Sequence, residues 1–136
     1  MLLGLIMKNK LIMISLLLIC GFCIFRASML FSTKNLIKYV EKIMRNEIPL
    51  DEIKGTIYEH FHPLSCYPID TDYFYSDVTI NVGWIIHDLN NGEINIIYNV
   101  NYYDDEKRYG GSHAPSKWLI EKQNGKWEIV KIIEKP

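Results

Sequence analysis

Cysteine is scarce, and the three present in the 136 residues are badly placed for a disulfide scaffold. Cys20 and Cys23 fall inside a long apolar run, which leaves Cys66 alone in the rest of the chain without an intramolecular partner. The C-x-x-C spacing of Cys20 and Cys23 therefore carries no redox reading. Cys66 reads first as a small buried hydrophobe, with an intermolecular disulfide or a reactive thiol as its alternatives. Clustered positive charge is missing as well. From Ser32 onward 12 Lys and Arg stand against 16 Asp and Glu, a net charge of −4 spread along the chain apart from Asp104-Asp105-Glu106. That argues against a nucleic-acid or anionic-lipid surface. Internal repeats and low-complexity linkers are also lacking, so the chain holds one domain and a targeting segment.

The apolar run is the segment that stands out. Leu11 to Phe25 contains only Ser15 as a polar residue, and Lys8 and Lys10 precede it as a positively charged flank. Met7-Lys8-Asn9-Lys10 has the look of a natural start, with residues 1–6 as an upstream extension. A fifteen-residue run falls short of the roughly 20 that span a bilayer, which favours a cleaved signal. With Arg26 snorkelling near the end, however, Leu11 to Phe31 makes a 21-residue anchor. No good peptidase site follows the run, and neither Cys20 nor Cys23 is preceded by the small residue that lipid modification needs. The expectation is a single-pass membrane protein held through residues 11–31, with residues 32–136 outside the cytoplasm; secretion after cleavage and a lipoprotein are the alternatives.

In the exported part, Ser32 or Thr33 is expected to cap a helix with the apolar stripe Leu36, Ile37, Val40, Ile43 and Met44, ending near Glu47 ahead of Pro49. A second, shorter helix begins at Asp51-Glu52, carries Ile53, Ile57 and Phe61, is weakened by Gly55 and ends at Pro63. Residues 63–77 read as irregular, with Tyr73-Phe74-Tyr75 as a short strand or flap. Alternation then takes over. Val78, Ile80, Val82, Trp84 and Ile86 share one parity, and Ile94, Ile96, Tyr98, Val100 and Tyr102 resume it after a fold-back at Asn90-Asn91-Gly92. Asp104 to Pro115 reads as a polar loop around Gly110-Gly111. Ser116 to Gln123 and Lys126 to Glu134 form a last hairpin at Asn124-Gly125, a dipeptide suited to a type I′ turn. The sum is an α+β domain: two helices packed on a four-stranded antiparallel sheet, with the even-numbered face toward the helices.

The ending Lys117-Trp118-Leu119-Ile120-Glu121-Lys122-Gln123-Asn124-Gly125-Lys126-Trp127-Glu128-Ile129 resembles the last hairpin of exported nuclear transport factor 2-like and cystatin-like domains. Many of these close on W-x-V-x-K-x-x-G-x-W-x-I; here Leu119-Ile120 after the first tryptophan sits one residue off that pattern. The resemblance implies a cone-like α+β roll with a pocket between helices and sheet. It says little about activity, since the superfamily spans isomerases, dehydratases, transport adaptors, immunity proteins and uncharacterised lipoproteins. Protease-inhibiting cystatins carry Q-x-V-x-G, which Ile80-Asn81-Val82-Gly83 does not match.

Candidate chemistry is thin. Glu59-His60-Phe61-His62 with Cys66 is the one metal-capable cluster, but residues two apart on a helix point about 200° from each other, and no zinc-type spacing supports a site. No metal, cofactor or catalytic residue is assigned. Asp88, His87 and His113 are the candidate bases should the cone-shaped pocket exist. A ligand or partner surface is placed at Trp84, Tyr98, Tyr102, Tyr73, Tyr75 and His113, because tyrosine offers an apolar body with a hydrogen-bonding tip. The leading expectation is a non-enzymatic binding module for an unknown protein or small ligand. An acid–base enzyme and an accessory subunit of a membrane complex are the alternatives.

Overall fold

The computed structural model describes residues 2–66, 75–104 and 107–134. Contacts divide the chain into two compact units, Met1–Ser32 and Thr33–Pro136. Helix α1 runs Leu2–Met44. In the first unit its apolar side chains face solvent all round, among them Leu11, Leu16, Leu17, Leu18, Ile19, Phe22 and Ile24. By length and composition it can cross a membrane, a test that a signal sequence near the N-terminus also meets. The helix continues through Ser32 and Thr33, so neither caps a separate helix; Ser32 Oγ donates back to the Met29 carbonyl at 3.0 Å instead.

In the second unit α1 ends in a buried stripe, Leu36, Val40, Ile43 and Met44, at the three-and-four spacing of one helix face. It stops at Met44 because Asn46 turns left-handed at φ 59°. The Glu47 N–H then reaches the Lys42 carbonyl at 2.9 Å and the Asn46 N–H the Ile43 carbonyl at 3.0 Å, which satisfies the last carbonyls. The expected second helix is in pieces. Gly55, at φ 77°, separates α2 (Leu50–Ile53) from a single 3-10 stretch, Ile57–Phe61, whose Tyr58 N–H donates to the Thr56 hydroxyl at 3.3 Å. The 3-10 stretch ends just before Pro63, with His62 extended at φ −81° and ψ 130°, and Pro63 also opens a further turn, α3 (Pro63–Cys66), where its missing N–H costs no hydrogen bond.

Four strands follow as an antiparallel meander in sequence order: β1 (Tyr75–His87), β2 (Asn91–Asp104), β3 (Lys107–Gln123) and β4 (Lys126–Glu134). The β1–β2 turn lies one step earlier than expected, at Asp88–Asn91, closed by the Asp88 N–H to the Asn91 carbonyl at 2.9 Å. Gly92 is not in the turn. It pairs with His87, where a Cβ would overlap the His87 side chain and the Ile86 carbonyl. The β3–β4 turn is the expected one, with Asn124 at φ 51° and Gly125 at φ 79°. Residues 107–115 are strand rather than polar loop: Gly110, Gly111, Ser112 and His113 pair in register with Tyr102, Asn101, Val100 and Asn99.

Each pairing contains one register shift, and those on β1 and β4 reset which side chains face inward. On β1 the register slips between Val82 and Ile85. Ile85 is therefore buried at 3 % exposure, while Trp84 and Ile86, expected on the covered face, stand 48 % and 52 % exposed on the other. On β4 the slip lies around Val130, so Trp127 and Ile129 face inward before it, and Ile132 pairs with Trp118 and Glu134 with Ser116 after it. The inner face, Ile94, Ile96, Tyr98, Val100, Trp118 and Ile120, is buried, and Phe61 meets the Trp118 ring edge-on at 5.3 Å between centroids. Side chains also reach both edge strands. Arg45 donates to the Val78 carbonyl of β1 at 3.0 Å, and the Ile129 N–H of β4 donates to the Tyr58 hydroxyl at 3.2 Å.

Unbroken alternation and the bulged sheet make opposite forecasts at one pair of neighbours. Ile85→Ala is expected to cost about 2–5 kcal/mol and Ile86→Ala less than about 0.5 kcal/mol. Urea unfolding of the full chain in detergent, followed by tryptophan fluorescence, measures both; the reverse order would remove the bulge from the fold.

Candidate functional site

A cavity of about 240 Å³ opens between the short helical segments and the inner face of the sheet. Met44 of α1, His60 and Phe61 of the 3-10 stretch and Cys66 of α3 form one wall; Tyr98, Val100 and Tyr102 of β2, Ser112 of β3 and Glu134 of β4 form the other. Its size is below the ~300 Å³ at which drug-sized pockets begin, so it suits a small metabolite. Phe61, Val100 and Tyr102 are buried, which gives the site apolar sides around a small number of polar groups.

Those polar groups converge on Glu134. One oxygen, Oε1, accepts hydrogen bonds from the Tyr98 hydroxyl and from His60 Nε2, the latter at 3.0 Å. Partial burial pulls the carboxyl upward, but the Tyr98 and His60 hydrogen bonds outweigh it and hold Glu134 below the usual carboxylate range. Burial, reinforced by the bond to Glu134, pushes Tyr98 well above the ordinary phenol value, so it stays a donor. The Cys66 thiol donates to the His60 carbonyl at 3.3 Å; burial first, then the Glu134 charge, raise it. A thiol held protonated in this way is a poor nucleophile. His60 and Glu134 also line a second cavity, about 640 Å³, running between the 3-10 stretch and β4 past Thr56, Ile57, Val130 and Ile132. The pair thus forms the partition between a groove and an inner pocket.

Of the residues singled out in the sequence, Tyr98 and Tyr102 meet in this pocket. Trp84 does not join them, because the β1 bulge turns it to the outer face, where it lines a separate depression of about 310 Å³ with Ile97 and Pro115. Tyr75 stacks on Tyr103 at 5.0 Å, away from the pocket. His113 is exposed, its ring bonded to the Asn99 side chain, and adjacent-residue alternation separates it from Ser112. Tyr73 lies outside the described residues. Asp88 is exposed at the turn, where its carboxylate accepts the Asn90 and Asn91 N–H groups at 2.7 Å each; these bonds, Asn91 first, lower its pKa. His87, on the inner side after the bulge, lies against Trp127 at 4.7 Å. Cys66, read from the sequence as a buried hydrophobe or a member of a metal-capable cluster, is exposed and lines this pocket, while Glu134 and Ser112 were not among the candidate residues. The legible signal for Glu134 was its place in the β4 alternation, which an unbroken strand assigns to the outside.

His60 and His62 do not converge on a metal, and among the described residues no three His, Cys, Asp or Glu side chains form a metal-holding group. His62 is fully buried, with Nε2–H donating to the Ile48 carbonyl at 3.1 Å and Nδ1 accepting from the Leu64 N–H at 3.2 Å. Both nitrogens are used, which fixes a neutral tautomer and ties Ile48 to α3. Burial lowers its pKa, more than the Ile48 bond and Glu59 raise it. A histidine depressed in the folded state contributes stability that is complete above the unfolded value of about 6.5 and is lost as pH falls through the lower folded value. Unfolding free energy should therefore fall from pH 7 toward pH 5. His62→Gln should flatten that slope while costing about 1–3 kcal/mol through the orphaned backbone groups. Urea titrations at stepped pH read both effects.

No protein-family model, no curated protein and no solved structure matches this chain.

Proposed function

We propose that the chain is a membrane-tethered binding module whose domain lies outside the cytoplasm and takes a metabolite-sized ligand in the pocket around Glu134, Tyr98 and His60. The observation that carries this reading is the convergence of two polar side chains, Tyr98 and His60, on one Glu134 carboxylate oxygen in a cavity that Phe61, Val100 and Tyr102 also line. The fully exposed apolar helix in front of the domain supports the tether, and Lys8 and Lys10 before it support an N-terminus on the cytoplasmic side. The order of elements, helix and short turns and then a meander closing on Asn124-Gly125, supports the resemblance to nuclear transport factor 2-like domains. In such folds the space between helices and sheet is the place a ligand occupies.

An acid–base enzyme is the second reading, favoured by the His60–Glu134 contact, in which a carboxylate orients an imidazole at a pocket wall. Catalytic turnover of a ligand found in the pocket, lost in His60→Gln, distinguishes it from binding alone.

Two measurements test the main reading. In cell fractionation the protein should pellet through an alkaline carbonate wash, and protease added to intact cells should degrade the domain; release into the medium or full protection would overturn the tether. In a thermal-shift screen of small metabolites on the detergent-solubilised chain, a ligand at about 100 times its Kd should stabilise by about 2.7 kcal/mol. Ser112→Trp, which fills the pocket from β3, should abolish that gain.

A further inference from the structure

Resting on the ligand-binding reading above, we infer that the pocket selects a small organic cation, an amine whose charged nitrogen sits at Glu134 and whose carbon substituents are received by Phe61, Tyr98 and Tyr102. The charge balance of the walls points this way. Among the described residues lining the cavity, Glu134 is the one carboxylate and none is a lysine or arginine. An anionic ligand would meet a like charge there, whereas a cation adds a further favourable partner to the carboxylate that His60 and Tyr98 already hydrogen-bond.

Hydrogen-bonding capacity gives the same sign. The Tyr98 hydroxyl and His60 Nε2 are both committed to Glu134 Oε1, and the Cys66 thiol is committed to the His60 carbonyl. Glu134 Oε2 receives no donor from the described residues. Among the described residues, then, Oε2 is an acceptor without a donor while Tyr98, His60 and Cys66 are engaged, so the complementary ligand is itself a donor or a bare positive charge. A metal ion is the poorer match, because no group of three ligating side chains surrounds that oxygen among the described residues. Phe61, Tyr98 and Tyr102 line the cavity, and aromatic rings attract organic cations more than they attract neutral groups of the same shape. A cavity of about 240 Å³ limits it to a compact head, with the groove beyond the His60–Glu134 partition available to a tail.

The test uses the full chain in a non-ionic detergent and isothermal titration with choline and with its uncharged isostere, in which carbon replaces the quaternary nitrogen. Choline is expected to bind about tenfold tighter than the isostere, the difference contributed by the charge alone. Glu134→Gln should remove that difference with the unfolding midpoint retained. Equal affinities for the two probes in the wild-type chain would overturn cation selection while leaving a real binding pocket. Saturable binding of neither probe would also overturn it, and the metabolite screen with Ser112→Trp then decides separately whether the pocket binds anything.

Discussion

The domain depends on keeping one face of a four-stranded sheet dry. A meander in sequence order has no second sheet to hide behind, so its cover comes from the end of α1, Phe61 and the buried turn around His62. With this little covering material, each strand must aim its apolar residues at the same side along its whole length. A regular strand with the right parity would do that but would stay nearly straight. The bulges let the sheet bend over its cover and then restore the apolar side chains to it, as Ile85 on β1 and Ile132 on β4 illustrate.

The pocket is a by-product of that same device. Without the extra residue at Val130, Ile133 would face inward and Glu134 would face solvent. With it, an apolar side chain is traded for a carboxylate at the far end of the inner face, beyond Trp127 and Ile129, where the cover thins to the short turn that carries His60. Tyr98 and His60 then make the carboxylate tolerable by hydrogen bonding it, and their cost of partial burial is offset at the same atom. Fold and site are thus set by one irregularity rather than by separate features.

Period-two alternation made β2 and the outlines of β1 and β4 legible, and Asn124-Gly125 marked its turn, because both signals are local. The stripe at the end of α1 was equally plain. Three features were hidden for one reason: they depend on partners distant in sequence. A bulge costs the strand no special residue type, so Trp84 and Ile86 looked as good a pair of core residues as any. Gly110-Gly111 and Pro115 speak for a loop locally, yet pairing with Tyr102 to Ile97 draws them into β3. The candidate site suffered most. Tyr98 and Tyr102 were visible through alternation, but Glu134, Cys66 and Ser112 lie on four separate elements with those tyrosines and no spacing connects them.

Arg45 and Tyr58 acquire a further meaning when the sheet is considered from its sides. Any open sheet ends in two strands whose outward amides and carbonyls are templates for another chain. Here the template is spoiled on both sides in the same manner. β1 carries a bulge at Val82–Ile85 and surrenders the Val78 carbonyl to Arg45; β4 carries one at Val130 and surrenders the Ile129 amide to Tyr58. An incoming strand would find the spacing of free groups broken and some already occupied. The sheet is thereby protected from growing by strand addition, and copies crowded side by side are kept from polymerising edge to edge.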